Sequence, residues 1–232
     1  MSTMDRSRFS GIFAIPDYFK VVLIGAGGIG ATTALTLAKM GVMNLVVIDD
    51  DVVSVENTGT QLHHSGALGE PKAWEIERLI GKYADDVAVL PFRTRLNEEM
   101  EDLSAEVLSA DVVISAVDSI GSRQGIWQAL KSNNVAWKYY IDARMAAEEF
   151  QALVVHFRQA GQYEETLMAL SEDDVPDLPC TEKATFYTAM IAAGHLGALI
   201  KMIVINDETL PARLVHNIQA NTLFAIGSPD PQ

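Results

Sequence analysis

Hydrophobic positions along the chain fall into two alternating kinds of segment: apolar runs of strand length, and longer stretches with a helical period. KVVLIG, residues 20–25, reads as a strand buried on both faces, and a helix over 28–40 comes next, stopped by Gly41 where a left-handed residue is favoured. NLVVID, residues 44–49, is the second strand. A long polar loop over 50–70 leads to a helix that Pro71 opens and that runs to Tyr83. Residues 87–91, 111–117 and 139–142 read as further strands, with helices over 97–108 and 122–133 between them. Residues 150–157 form another strand, a candidate for antiparallel pairing. Between 159 and 179 the sequence turns acidic and loses its period, which predicts an excursion carrying one short helix. An Ala/Gly-rich helix after Cys180 and a last strand near 213–218 complete the pattern. Such alternation is the mark of right-handed crossovers, so the expected fold is a Rossmann-like α/β structure. Its sheet is mainly parallel with helices on both faces, and some strands of the C-terminal part are antiparallel.

Length and charge narrow the picture. The 232 residues suit one domain, with a nucleotide-binding half over about 18–145 and a C-terminal substrate and dimer part over about 146–232. Seventeen basic against 31 acidic residues leave a net charge of −14, which repels a phosphate backbone, so nucleic acid is not an expected partner. Cys180 is the single cysteine, which excludes an internal disulfide and a zinc site built on several thiolates of one chain. A reducing, cytoplasmic compartment is expected. The first fifteen residues carry only a short apolar run, too short for a secretory signal, and no membrane segment is expected. The nearest candidate, 187–205, is broken by His195, Lys201 and two glycines, and reads as a buried or dimer-facing helix.

The chemistry begins at Gly25-Ala26-Gly27-Gly28-Ile29-Gly30, between a predicted strand and a predicted helix. Glycines there permit a tight turn and let phosphate oxygens approach backbone N–H groups at the positive helix end. Asp49, 24 residues after Gly25, closes the second strand where a ribose with free hydroxyls is held. NAD and ATP both satisfy that much. The polar residues beyond Asp49 separate them: Asp51, Asn57, Gln61 and Lys72 precede the third strand, and Asp118 ends the fourth. Hydride transfer wants an apolar slot for nicotinamide, whereas cleaving a nucleoside triphosphate wants cationic and amide donors plus a carboxylate for Mg²⁺. Lys72 sits in the first turn of its helix, where the dipole disfavours a cation unless an anion lies in front of it.

The run GAGGIG…NLVVIDDDVVSVENTGTQLHHSGALGEPKA…DVVISAVDS resembles the ThiF/MoeB/HesA and ubiquitin-activating (E1-like) adenylyltransferases. Their pattern is G-x-G-G-x-G, D-x-D, N-x-x-R-Q, G-x-x-K and a strand ending in Asp, matched in order over residues 20–123. A weaker likeness continues through PCTEKATFYTAMIAAGHLGALIKM, the stretch in which many relatives place a cysteine ahead of their last long helix. The resemblance implies an ATP-dependent enzyme and a homodimer. It would activate the C-terminal carboxylate of a small ubiquitin-like or sulfur-carrier protein, or of a peptide, as an acyl-adenylate with release of pyrophosphate. In that scheme Gly25, Gly27, Gly28 and Gly30 form the phosphate turn and Asp49 holds the ribose. Asn57, Gln61 and Lys72 bind phosphate oxygens, and Asp118, with Asp51, ligates Mg²⁺. Cys180 is either a nucleophile that takes the acyl group as a thioester or a small buried residue.

The chain departs from the pattern at Thr60, which stands where the family carries the arginine of N-x-x-R-Q. An arginine on developing phosphoryl charge supplies roughly 10³–10⁵ in rate, so its loss implies impaired chemistry or a substitute. Arg6, Arg8, Arg123 and Arg144 are the candidate substitutes. Relatives that hold zinc use two C-x-x-C pairs, absent here. His63-His64 reads as part of a polar loop, and His156, His195 and His216 as structural. Two other readings stay open: a nucleotide-binding scaffold subunit without catalysis, for which Thr60 speaks, and an NAD-dependent oxidoreductase, which the glycine pattern permits.

Overall fold

The computed structural model describes residues 4–97, 103–171, 173 and 184–229. Eight strands of the described residues form one sheet: β1 (Lys20–Ile24), β2 (Asn44–Ile48), β3 (Ala88–Phe92), β4 (Ala110–Ser115), β5 (Trp137–Ala146), β6 (Glu149–His156), β7 (Arg213–Asn217) and β8 (Thr222–Ile226). Their order is β3-β2-β1-β4-β5-β6-β7-β8. The first five are parallel; β6, β7 and β8 are added antiparallel. The α-helices are α1 (Gly28–Met40), α2 (Asn57–Thr60), α3 (Lys72–Tyr83), α4 (Ala105–Leu108), α5 (Ile120–Ser132), α6 (Ala160–Met168) and α7 (Phe186–Val204). The expected mixed α/β sheet is therefore the observed one.

Both faces of the sheet are covered, which is why β1 and β4 read as continuous apolar runs. Val21 and Leu23 of β1 join a core with Leu37 of α1, Ile76 of α3 and Leu196 of α7. Val22 and Ile24 join a second core with Leu108 of α4, Ile126 and Leu130 of α5, and Tyr163 of α6. Neighbouring strands β1 and β4 thus send their following helices to opposite faces, and a crevice opens at their C-terminal ends. That crevice is where a ligand of an open α/β sheet sits.

Helix α7 is long and apolar enough to cross a membrane by length and composition, but half of that stretch is buried inside this fold. It packs along α1: a Cβ at Gly197 would stand 2.9 Å from Met40 Sδ, and Thr32 Oγ1 donates to the Ala189 carbonyl at 3.1 Å. Its opposite face leaves Phe186, Tyr187 and Met190 exposed.

Three elements differ from expectation. β5 runs on to Ala146 because β6 pairs along its whole length, through a turn at which Ala147 takes a φ of 50°. β8 has no periodic signature, since Leu223, Phe224 and Ile226 are exposed and β7 alone supplies its partners. In place of a helix over 97–108, the described part is the single turn α4, because Ser104 caps it and accepts from Val107 N–H at 3.3 Å; residues 98–102 lie outside the described residues.

Candidate nucleotide site

Two glycines of the turn after β1 are required by close approach. Gly25 has a φ of 97°, and a Cβ there would lie 2.7 Å from the Ala116 carbonyl that follows β4. A Cβ at Gly30 would lie 1.8 Å from the Gly25 carbonyl. Gly27 and Gly28 are different: a Cβ at either would meet ordinary contacts, with the Gln61 amide at 3.7 Å and with the Thr60 carbonyl and Met145 at 3.4–3.5 Å. Gly27 is the N-cap of α1 and has no side chain to cap with, so the first-turn N–H groups stay available for an anion.

Asp49 lies just beyond β2 and is tied into this turn. Its Oδ2 accepts from Ala26 N–H at 2.6 Å and its Oδ1 from Asp51 N–H at 2.8 Å. Burial pushes the carboxyl upward, and the Ala26 N–H and the Lys72 ammonium oppose that shift. Each carboxylate oxygen keeps a further lone pair, the capacity needed to accept from ribose hydroxyls.

Lys72 is the first residue of α3 and is buried. The anion that its position demands is Asp51, whose Oδ2 accepts from Lys72 Nζ at 2.9 Å. Pro71 pairs with Val52, and Lys72 N–H donates to the Asp51 carbonyl at 3.0 Å, so the start of α3 is held against the segment leaving β2. Buried Glu75, also in the first turn, offsets the dipole and accepts from Arg78 Nη2 at 3.0 Å.

The loop between Asp51 and Lys72 folds back over the glycine turn. Asn57 opens α2, and its Oδ1 accepts from Ser54 N–H at 3.0 Å, which leaves its amide N–H₂ as the donor for a ligand. Gln61 leans over Gly27, and a cavity of about 480 Å³ is lined by Thr58, Gly59, Gln61, His63, His64 and Phe186. Gln61 Oε1 and His63 Nδ1 are buried and have no partner among the described residues. His63 lies in the loop as expected, with one correction: its side chain is buried, and its Nε2 lies 2.8 Å from the Ala26 carbonyl. Adjacent histidines carry no signal for which ring turns inward; His64 is the exposed one.

The substitute arginines are mostly engaged elsewhere. Arg123 is buried, ion-paired to Asp142, and donates to the carbonyls of Val117 and, at 3.1 Å, Ala143. Arg144 Nε donates to the same Asp142 carboxylate at 3.0 Å, and Tyr163 Oη does so at 2.8 Å. Arg6 grips Asp86 with two N–H groups at 2.6 and 3.0 Å and the Ala38 carbonyl at 3.1 Å, at the end of α1 remote from the glycine turn. Arg8 is exposed.

Asp118 is exposed in the turn after β4, two residues beyond the Ala116 carbonyl that abuts Gly25; the next residue, Ser119, caps α5. Carboxylate oxygens of Asp49, Asp50 and Asp51 lie within 4.8 Å of one another, a group that does not include Asp118. These hard oxygen donors suit Mg²⁺. Cys180 lies outside the described residues.

The chain is 37% identical over 105 residues to the SAMP-activating enzyme E1 of Haloferax volcanii, covering 45% of this chain and 38% of that protein. It is 31% identical over 116 residues to the molybdopterin-synthase adenylyltransferase of Escherichia coli, covering 50% of this chain and 45% of that one. The matches thus span less than half the length of either relative. Among solved structures, Escherichia coli MccB with ATP superposes with a TM-score of 0.67 at 16% identity, over 93% of this chain and 65% of that one. PaaA does so with 0.68 at 18% identity, over 92% and 74%. Residues 15–228 match the ThiF family model, and the chain belongs to the ThiF family.

Proposed function

We propose that this chain is an ATP-dependent adenylyltransferase that activates the C-terminal carboxylate of a small ubiquitin-like or sulfur-carrier protein, or of a peptide. The observation that carries the reading is Lys72, a buried cation held by an exposed carboxylate and close enough for its charge to act on Asp49, which is bonded to the glycine turn. A triphosphate arriving there finds an ammonium already desolvated and free first-turn N–H groups. The relatives named for adenylyl transfer or E1 activation favour ATP over a nicotinamide coenzyme.

In this scheme the acceptor carboxylate attacks the α-phosphorus, an α-phosphorus–oxygen bond forms, the bond to the bridging oxygen breaks, and pyrophosphate leaves. Asp49 orients the ribose. Lys72, Gln61 and the Asn57 amide donate to phosphate oxygens as their charge grows. Mg²⁺, held by Asp118 with Asp51, would neutralise phosphate charge. The division into a nucleotide half over about 18–145 and a substrate and dimer part over about 146–232, a homodimer using the exposed face of α7, and a cytoplasmic location belong to the same proposal. Isotope exchange between pyrophosphate and Mg·ATP in the presence of a carrier protein with a free C-terminus tests it. Exchange is expected; nucleotide binding without exchange would leave a scaffold, and binding of NADH in preference to ATP would end the reading.

A further inference from the structure

We propose that His63 is a positioning residue of the nucleotide site: its ring fixes the Ala26–Gly27 peptide so that Gly27 N–H stands out as a preset donor to a phosphate oxygen. The inference rests on the nucleotide reading above and adds to it a residue outside the glycine turn.

The geometry is specific about the proton. His63 Nε2 lies 2.8 Å from the Ala26 carbonyl oxygen, which can only accept, so the hydrogen is on Nε2 and the buried Nδ1 is bare. Burial lowers the pKa of the ring, with the Lys72 charge acting in the same sense and the Ala26 hydrogen bond, Glu75 and Asp49 opposing, and Nδ1 has no acceptor among the described residues for a second proton. Leaving Nδ1 buried without a partner is unfavourable, and a phenyl ring would fill the same space without that cost. What the imidazole provides at this position is the donor.

Peptide planarity carries this contact to the next residue. Ala26 is bound on both sides: its N–H donates to Asp49 at 2.6 Å and its carbonyl accepts from His63. No described peptide is cis, so the N–H of Gly27 points opposite to the carbonyl of Ala26. With that carbonyl drawn onto His63, the Gly27 N–H is turned away from the ring, and it meets no acceptor among the described residues. Gly27 is also the N-cap of α1, where the helix end already favours an anion. Without the ring, the peptide between two residues lacking large side chains would be free to rotate, and the donor would have to be ordered by the ligand itself.

Titration calorimetry with Mg·ATP and with adenosine, on wild type, His63→Phe and His63→Gln, tests the assignment. Gln carries an N–H donor that can take the place of Nε2; Phe keeps the bulk and removes it. His63→Phe is expected to weaken Mg·ATP by about tenfold or more, the worth of one hydrogen bond to a charged group, while adenosine binds as before. His63→Gln is expected to recover ATP to within about threefold of wild type. Equal loss of both ligands with no recovery in His63→Gln, or no loss of ATP in His63→Phe, would overturn the assignment. Nitrogen-15 NMR of the unliganded wild-type protein is an arm that needs neither nucleotide nor variant. The Nε2–H tautomer is expected for His63, and an Nδ1–H tautomer overturns the proposal. Should wild type bind neither ligand, the nucleotide reading falls, and positioning is decided by whether the Gly27 amide resonance moves in His63→Phe and stays in His63→Gln.

Discussion

Lys72 and Asp51 are joined twice, ammonium to carboxylate at 2.9 Å and backbone N–H to carbonyl at 3.0 Å, with the lysine side chain 7% exposed and the aspartate 66%. The cation is thus fixed in the protein while its partner faces solvent, an arrangement in which an incoming anion can share or replace Asp51. Asp51→Ala leaves a buried ammonium without its carboxylate, and a loss of about 1–3 kcal/mol is expected in urea denaturation. Saturating ATP with a chelator present, so that the Mg²⁺ role of Asp51 does not enter, should stabilise the variant more than wild type, because phosphate supplies the missing charge. Lys72→Met should reduce pyrophosphate exchange about 10²-fold or more. Equal stabilisation of Asp51→Ala and wild type by ATP would show that Lys72 does not face phosphate.

Thr60 occupies the place of the family arginine and donates to the Glu56 carbonyl at 3.2 Å, while Arg6, Arg123 and Arg144 are held in ion pairs. Thr60→Arg is therefore expected to raise the exchange rate by about tenfold or more, part of the roughly 10³–10⁵ that an arginine supplies in phosphoryl sites. An unchanged rate would mean that another cation already serves there.

Asp142 is fully buried and accepts from Arg123, Arg144 and Tyr163. Asp142→Asn leaves two guanidinium groups facing a neutral amide, one of them buried, and a loss of about 3–5 kcal/mol is expected. Denaturation midpoints measure it. ATP affinity of the folded fraction should change little, since in the proposed scheme Lys72, Gln61 and Asn57 carry the phosphate contacts.

Gly30→Ala places a methyl 1.8 Å from the Gly25 carbonyl and should prevent the β1–α1 turn from closing, read as loss of the cooperative thermal transition. Gly81, in α3, has open space around it, and Gly81→Ala should stabilise by about 0.5–1 kcal/mol. If both substitutions shift the midpoint alike, backbone approach at Gly30 is not what the position requires.

His195 stacks on Phe150, lies 2.9 Å from His216 Nδ1 through its Nε2, and is held below its ordinary pKa by burial and then by His216. His63 is depressed as well. The folded chain therefore binds fewer protons than the unfolded one as the pH drops below about 6.5, so this stability is present above that value and lost toward acid. A group fully displaced in this way tilts stability by about 1.4 kcal/mol per pH unit. His195→Gln should flatten the slope of melting temperature between about pH 5.5 and 7; an unchanged slope would remove His195 as its source. Asp49 acts with the opposite sign, because its raised carboxyl stabilises below the ordinary carboxylate value and loses that contribution as pH rises through the folded one.

The glycine turn, Asp49 at the end of β2 and Lys72 at the start of α3 could be read from neighbouring residues because each answers to a local rule: a strand must turn into a helix, a strand end presents a carboxylate, and a helix start rejects an unpaired cation. The parallel half of the sheet was readable for the same reason, since burial on both faces leaves unbroken apolar runs. β8 and the short α4 were not, because one is held only by its neighbour's backbone and the other is a single capped turn.

From its sequence alone the molecule is an α/β chain with a glycine turn before a helix, an aspartate at the end of β2 and a lysine at the start of α3 in a fixed order, all consequences of periodicity and of residues close along the chain. Only the tertiary structure decided that His63 rather than His64 turns inward to Ala26, 37 residues away. The same is true of Arg123, drawn to Asp142, and of Arg6, spent on Asp86 across a separation of 80 residues. Which way a polar side chain points is set by the charge or carbonyl that folding brings beside it, and a buried donor takes whichever acceptor is there.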